Sequence, residues 1–142
     1  MRFLLDVNVL VALAFPLHSS HAAAHSWFRR EQDRLWATCP LTQAGFLRVA
    51  SRALGGTRDA TRKALAGLER DCRSANHEYW PVDADLRDLS DAQRAHLIGP
   101  NQIADMQLIL LAHRRRSQLA TLDTGLRELA SGAGYGNSVL LL

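Results

Sequence analysis

The sequence predicts an α/β fold, with a mostly parallel five-stranded sheet covered by helices on both faces. Short β-like runs alternate with segments of helical periodicity along the chain. The first run, residues 3–7, is almost continuously apolar, which is typical of a strand buried on both faces. Strands separated by helices pair in parallel, because the helix supplies the crossover that parallel pairing needs.

Local signals place each element. The strands are predicted at residues 3–7, 35–38, 78–82, 118–122 and 138–142. The helices are predicted at residues 21–32, 42–54, 58–73, 83–96, 102–116 and 124–130, and residues 7–15 lead from the first strand into a helix of their own. Thr57 and Asn101 can cap the helices that follow them, and Gly55 with Gly56 ends the one before.

Length and composition predict one globular domain, residues 1–142, with a sizeable core. Of the 142 residues, 47% are hydrophobic, and the longest uncharged apolar stretch, residues 9–17, is too short to span a bilayer. Asp6 and Asn8 interrupt the N-terminal apolar region, which argues against a secretory signal. The two cysteines, Cys39 and Cys72, form no disulfide framework, so we expect a cytoplasmic protein with no membrane association.

Three aspartates are the strongest functional signal. Asp6 ends the first strand in FLLD and Asp123 ends the fourth in LATLD. In parallel sheets, ligands bind beyond the carboxyl ends of the strands. Asp105 lies in the first turns of a strongly apolar helix and shares a face with Leu108 and Ile109. An acid on a core-facing stripe needs a partner, and its early position in the helix places it near the same edge of the sheet.

Three carboxylates at one edge would repel one another, and a divalent cation would relieve that repulsion. Hard oxygen ligands favour Mg²⁺ or Mn²⁺, which can activate a water molecule and stabilise charge on a phosphodiester. A strand-end aspartate is also a common helix cap or turn residue, so that interpretation stays open for Asp6 and Asp123 taken singly.

Four segments follow one another along the chain in this order: FLLDVNVLVAL, TCPLTQAGFLRV, IADMQLILLA and LATLDTGL. They resemble those of PIN-domain ribonucleases, and more narrowly the VapC-type toxins of type II toxin–antitoxin systems. The resemblance implies a three-layer α/β/α sandwich with a central parallel sheet. It also implies a metal-dependent endoribonuclease that leaves 5′-phosphate and 3′-hydroxyl ends, with an RNA substrate, a cognate antitoxin and a homodimeric state.

Residue by residue, the resemblance implies that Asp6, Asp105 and Asp123 are the catalytic acids and hold Mg²⁺ or Mn²⁺. Asn8 stands where the family usually has a small polar residue two positions after the first acid. Thr121 matches a hydroxyl that often precedes the last acid. Asn8 and Thr121 are therefore expected to support the acids rather than to bind the metal themselves.

One position departs from the family pattern. Gln43 occupies the place of a glutamate early in the helix after the second strand, and Glu31, Asp33 and Asp59 lie too far along the chain to replace it. The neutral Gln43 is still expected to support the site, because its amide can coordinate through the carbonyl oxygen or hold a water, but it supplies no charge. The site would then carry three negative charges, which puts a second metal ion in doubt. The alternative function is a catalytically weak or inactive PIN-like module that binds RNA or protein.

Other enzyme classes fit the sequence less well. A haloacid-dehalogenase-type phosphatase needs an aspartate where Asn8 stands, and a receiver domain needs a lysine near the last strand, whereas Lys63 is the only lysine. His21 and His25 share a helix face, but no further zinc ligand accompanies them. No serine or cysteine nucleophile motif is present.

The net charge of +3 is carried almost entirely by arginine, whose planar fork suits phosphate. This favours a nucleic-acid partner mildly. Residues 114–116 end a helix, where cations interact favourably with its dipole. Four other arginines are candidates for contact with RNA or a partner, and the sequence does not rank them: Arg29, Arg30, Arg58 and Arg62. The three tryptophans are expected to anchor the core or an interface: Trp27, Trp36 and Trp80.

Overall fold

The computed structural model describes residues 1–30 and 35–142, and within them five strands form one parallel sheet. The strands are β1 (Arg2–Leu5), β2 (Leu35–Thr38), β3 (His77–Tyr79), β4 (Gln118–Thr121) and β5 (Val139–Leu141). Their order in the sheet is β3-β2-β1-β4-β5, and every neighbouring pair is parallel. The predicted α/β fold with a five-stranded parallel sheet is therefore confirmed.

Helices cover both faces of this sheet. They are α1 (Val7–Ala14), α2 (His21–Arg30), α3 (Pro40–Ala53), α4 (Arg58–Cys72), α5 (Asp91–Arg94), α6 (Gln102–Arg114) and α7 (Thr124–Gly132). Single 3₁₀ turns lie at Leu86–Asp88 and Gly136–Ser138. No helix within the described residues is both long and apolar enough to cross a membrane.

The core lies in two clusters, one on each face of the sheet. Phe3 and Leu5 of β1 pack with side chains from α1 to α4, whereas Leu4 between them packs with α6 and α7. Because side chains alternate along a strand, β1 is buried on both faces, as its continuous apolar run predicts. Trp27 and Trp36 lie in the first cluster and Trp80 in the second, so the tryptophans are core residues.

The strand order reverses between β1 and β4, and this reversal creates a crevice. The chain leaves β1 towards β2 on one side of the sheet and leaves β4 towards β5 on the other. The helices that follow, α1 and α7, belong to opposite faces. In open parallel sheets, such a switch point is where the carboxyl ends of the strands leave room for a ligand.

Several predicted boundaries were wrong. β1 stops at Leu5 rather than at residue 7, because Asp6 already caps α1. β3 is shorter and earlier than predicted, and the helix predicted at residues 83–96 is replaced by a 3₁₀ turn and the four-residue α5. There, Asp85 Oδ1 accepts from the Arg87 amide, and Ser90 caps α5. Such local side-chain bonds compete with a continuous helix. The predicted end of the helix at residues 31–32 lies outside the described residues.

Helices α3 and α4 form a hairpin that turns at Gly55 and Gly56. Both glycines have positive φ, 112° and 69°, which residues with a side chain rarely adopt. The Gly56 amide donates to the Ser51 carbonyl over 2.8 Å, and Thr57 then caps α4 through the Ala60 amide over 3.1 Å. The predicted break and cap are both confirmed, and they fix the hairpin turn.

Two helical glycines have different surroundings, so replacing each with alanine should have opposite effects on stability. Gly45 lies where α3 packs closely on α1, and Gly67 lies on α4. A Cβ at Gly45 would lie 2.5 Å from Val7 Cγ2, whereas one at Gly67 would meet only the end of Arg70 at 3.8 Å. Gly45→Ala should lower the free energy of unfolding by about 1–3 kcal/mol through overpacking. Gly67→Ala should raise it by roughly 0.5–1 kcal/mol through helix propensity. Urea denaturation measures the free energy of unfolding of both variants. Equal effects of the same sign would contradict the close contact between Gly45 and Val7.

Candidate active site

Asp6 lies at the crevice between β1 and β4, where it caps α1. Its backbone amide donates to the Ala120 carbonyl of β4 over 3.0 Å, and only 7% of the residue is exposed. Oδ1 accepts from the Val7 amide at 2.7 Å. The helix-cap role that the sequence left open is therefore real, but it uses only one of the two carboxylate oxygens.

The second oxygen of Asp6 is held by Asn8 and Thr121, two of the three residues predicted to support the acids. Oδ2 accepts from Thr121 Oγ1 at 2.6 Å and from Asn8 Nδ2 at 2.9 Å. Asn8 Nδ2 also lies 3.1 Å from Thr121 Oγ1, and Asn8 Oδ1 accepts from the Leu122 amide at 3.0 Å. Since these bonds join β1 to β4, they hold the carboxylate in one orientation.

Asp123 follows β4 and caps α7 in the same way that Asp6 caps α1. Its Oδ1 accepts from the amides of Gly125 and Leu126 at 2.8 and 3.2 Å, and its own amide donates to Thr121 Oγ1 at 3.1 Å. The residue is exposed, and Oδ2 makes no hydrogen bond within the described part of the chain. Asp123 is therefore positioned by the same threonine as Asp6 and has one oxygen available.

Asp105 is the half-buried acid of the site and the one without a partner. It lies in the first turn of α6, and Leu108, Ile109 and Ala112 on the same stripe are buried. Among residues 1–30 and 35–142, no side chain or amide donates a hydrogen bond to its carboxylate. The partner that an acid on an apolar stripe requires is thus not supplied by the described protein groups.

The electrostatics show that the three acids share one environment. Burial, together with the smaller effects of the charges of Asp6 and Asp123, raises the pKa of Asp105 to about 6. Burial also raises the pKa of Asp6, against the hydrogen bonds from Thr121 and Val7, and the charge of Asp123 adds to the rise. The charged forms of Asp6 and Asp105 are therefore destabilised by burial and by neighbouring carboxylates.

The donor chemistry suits a hard divalent cation, although the ligand set is loose. The polar atoms of the three acids are carboxylate oxygens, which Mg²⁺ and Mn²⁺ prefer. No three His, Cys, Asp or Glu side chains of the described residues stand close enough together to form a metal-binding group by themselves. Because Mg²⁺ usually keeps several waters and takes only one or two carboxylates directly, acids set this far apart still fit it.

Gln43 lies early in α3, but its amide is directed to the second strand. Gln43 Nε2 donates to Thr38 Oγ1 over 2.9 Å, and Thr38 Oγ1 lies 2.9 Å from His77 Nε2. Among the described residues, the bond to Thr38 is the one hydrogen bond that the Gln43 side chain makes. It does not connect Gln43 to the three acids. Sequence reasoning missed Thr38 and His77, since residues 39 positions apart give no local signal.

The histidine pair has a structural role. His21 Nδ1 and His25 Nε2 lie 2.7 and 2.9 Å from the carbonyl oxygens of Ala12 and Leu13, at the end of α1. As N–H donors they satisfy carbonyls that the helix leaves unpaired.

The two cysteines, Cys39 and Cys72, are free. The two nearest acids before β2, Glu31 and Asp33, lie outside the described residues.

Thr121 is fully buried and bonds Asp6, Asn8 and the Asp123 amide through one hydroxyl. Thr121→Val keeps the shape but leaves these groups unsatisfied, so it should lower the free energy of unfolding by about 2 kcal/mol. Thr124→Val, at an exposed position, should change it by less than about 0.5 kcal/mol. Urea denaturation of the two variants provides the comparison, and a neutral Thr121→Val would show that the network contributes no stability.

Comparison with known proteins agrees with this geometry. Residues 3–132 match the family model of the PIN domain. The chain is 39% identical over 132 residues to Ribonuclease VapC39 of Mycobacterium tuberculosis, covering 92% of this chain and 95% of the relative. It is also 35% identical over 123 residues to Ribonuclease VapC44 and 39% identical over 132 residues to Ribonuclease VapC38, both of the same organism. These matches cover 87% and 89% of each chain, respectively. The chain therefore belongs to the PIN-domain family, among the VapC-type ribonucleases.

Proposed function

We propose that this protein is a Mg²⁺- or Mn²⁺-dependent endoribonuclease toxin that hydrolyses RNA phosphodiester bonds. The observation that carries the proposal is the unpartnered Asp105, whose pKa is raised to about 6 by burial and by the charges of Asp6 and Asp123. A divalent cation between these acids would remove the repulsion. Relatives that share most of the chain's length are named ribonucleases, which supports RNA as the substrate.

In this proposal, Asp6, Asp105 and Asp123 hold the metal ion directly or through water. When bound, the ion supplies a water of lowered pKa and a positive charge against the phosphate in the transition state. Thr121 and Asn8 keep Asp6 Oδ2 in place through bonds of 2.6 and 2.9 Å. No side chain is needed as a nucleophile.

A cleavage assay on a structured RNA tests the proposal. The wild-type protein should cut the RNA with Mg²⁺ or Mn²⁺ and lose this activity in EDTA, and Asp6→Ala should be inactive with metal present. The products should carry 5′-phosphates, which ligation to an adapter reads out. Cleavage that persists in EDTA and leaves 2′,3′-cyclic phosphates would contradict a metal-dependent hydrolysis.

The alternative is a PIN-like module that binds RNA or protein and cuts weakly or not at all. The neutral Gln43, which donates to Thr38, is the observation that favours it. Calorimetry with Mn²⁺ on the wild type and Asp105→Ala separates the cases when it is combined with the cleavage assay. Specific Mn²⁺ binding without any cleavage would favour the binding module.

The proposed partners are a cognate antitoxin and a second copy of this chain, in the cytoplasm. A cavity of about 580 Å³ lies between the helices α1 to α4, and its lining is mostly apolar, including Leu13, Phe28 and Phe46. An apolar segment of an antitoxin could fill it.

Light scattering of the purified chain tests the dimer. If a small protein is encoded immediately upstream of this chain and is the antitoxin, adding it should abolish cleavage.

A further inference from the structure

The α3–α4 hairpin concentrates the positive charge of the protein. Residues 40–73 contain seven arginines and lysines but only three acids, an excess of four positive charges. The whole chain has a net charge of only +3, so the remainder is slightly acidic. The excess is therefore a local property of the hairpin, not a general consequence of an arginine-rich composition.

Ion pairs on α4 separate the hairpin's cations into two groups. Lys63 pairs with Asp59, Arg70 with Asp71 and Arg73 with Glu69, at 3.2, 3.3 and 2.6 Å, so all three acids are occupied. The other four cations are exposed and pair with no acid of the described residues. We call them the arginine surface: Arg48, Arg52, Arg58 and Arg62.

The arginine surface consists of two pairs with the same spacing, one on each helix of the hairpin. Arg48 and Arg52 are four residues apart on α3, and Arg58 and Arg62 are four apart on α4, so each pair is separated by about 6 Å along its helix. Ser51 Oγ and Thr61 Oγ1, each next to one of these arginines, lie 2.6 Å apart and join the two helices. The hairpin thus presents two short rows of guanidinium groups on helices held together.

The hairpin starts beside the candidate active site. Gly45 of α3 packs against Val7, which directly follows Asp6. By contrast, Arg114 and Arg116 lie at the end of α6, just before β4 begins. They are therefore near the amino ends of the strands, whereas Asp105 lies at the other end of α6. Topology therefore separates the arginines of the α3–α4 hairpin from Arg114 and Arg116.

We propose that the arginine surface binds the phosphate backbone of the RNA substrate. The identity of this polyanion rests on the ribonuclease function proposed above. Without a metal ion, three carboxylates repel an approaching phosphate backbone, so affinity for RNA in EDTA has to come from cations outside the acid cluster. Arginine forks bind phosphate oxygens in pairs, and exposed, unpaired guanidiniums do so without first breaking an ion pair.

Salt-dependent binding of a fluorescein-labelled stem-loop RNA in EDTA tests this surface separately from cleavage. The variants are Arg48→Gln/Arg52→Gln, Arg58→Gln/Arg62→Gln, their combination, and the matched control Arg114→Gln/Arg116→Gln. The combined variant should bind roughly tenfold more weakly or worse at 0.1 M NaCl. Its plot of log affinity against log salt should be shallower by about 3, since each lost phosphate contact removes nearly one unit of slope. Circular dichroism checks that each variant is folded.

The outcomes separate the two proposals. Loss of affinity and slope in both hairpin pairs, with the control unchanged, supports the arginine surface whether or not the wild type cleaves RNA. An unchanged slope in the combined variant, or an equal loss in the control, overturns it. Competition by poly-L-glutamate at the same charge concentration as RNA would also overturn it, because the surface would then serve an acidic protein.

Discussion

Replacing Asp6 with asparagine should lower RNA cleavage by about a hundredfold or more, a loss of roughly 3 kcal/mol of transition-state stabilisation. The carboxylate is 7% exposed and is held by the Val7 amide, Asn8 and Thr121. Asparagine keeps the size and the cap to Val7. It removes the negative charge and places an N–H group opposite Asn8 Nδ2, which is itself a donor. Metal affinity should fall with the activity, since both need this charge.

Cleavage of a stem-loop RNA at fixed Mn²⁺ and a calorimetric Mn²⁺ titration measure the two losses for Asp6→Asn. Asp88→Asn is the matched control, because Asp88 is exposed and lies away from the strands of the crevice. It should stay within about twofold of the wild type in both assays, as a change at an exposed surface position. Cleavage by Asp6→Asn within tenfold of the wild type would show that this charge is not part of the catalytic site.

Asp105→Asn should make the metal-free protein more stable, and it should abolish cleavage. The Asp105 carboxyl is half-buried, and its pKa is about 6 in the folded protein, against 3.8 for an ordinary aspartate. A difference of about two pKa units corresponds to roughly 3 kcal/mol. Solvent screening of a partly exposed group reduces this to about 1–2 kcal/mol at pH 7.5.

The sign of this effect sets its pH dependence. Because the pKa of Asp105 is raised by folding, its contribution to stability is fully present below about pH 4 and is lost as the pH rises through 6. In EDTA, urea denaturation should therefore show Asp105→Asn to be more stable than the wild type at pH 7.5 and equal to it at pH 4. Lower stability of the variant at pH 7.5 would mean that Asp105 has a stabilising partner after all.

Added metal should reverse this difference. Mn²⁺ that binds only the folded state raises its melting temperature, because binding to the native form alone shifts the unfolding equilibrium. The wild type should gain from Mn²⁺, and Asp105→Asn should gain much less. An equal gain in both proteins would place the metal elsewhere.

Strands and long helices could be predicted because their signals are local. The continuous apolar run of β1, the Gly55 and Gly56 turn and the cap at Thr57 each lie within a few neighbouring residues. The segment between β3 and α6 was predicted wrongly. There, Asp85 and Ser90 bond nearby amides, and these short-range bonds outweigh a weak helical pattern.

The candidate site could be predicted in part. The three acids follow from strand ends and from an acid on an apolar stripe, and the structure links their charges through the raised pKa of Asp105. The supporting role expected of Gln43 stays a prediction. Its amide bonds Thr38, which lies beside His77 on a neighbouring strand, and no sequence pattern reports a contact between strands so far apart in the chain.

By itself, the sequence determined which residues carry charge into an apolar environment and which strands and helices hold them. Hydrophobic periodicity and capping are properties of neighbouring residues, so they can be read along the chain. Only the tertiary structure decided that β1 and β4 are adjacent, so that Thr121 and Asn8 bond Asp6, whereas Asp105 has no hydrogen-bond partner among the described residues. It also decided which arginines are already paired with acids. These outcomes depend on distances between residues far apart in the chain, which only the packing of the sheet and its helices sets.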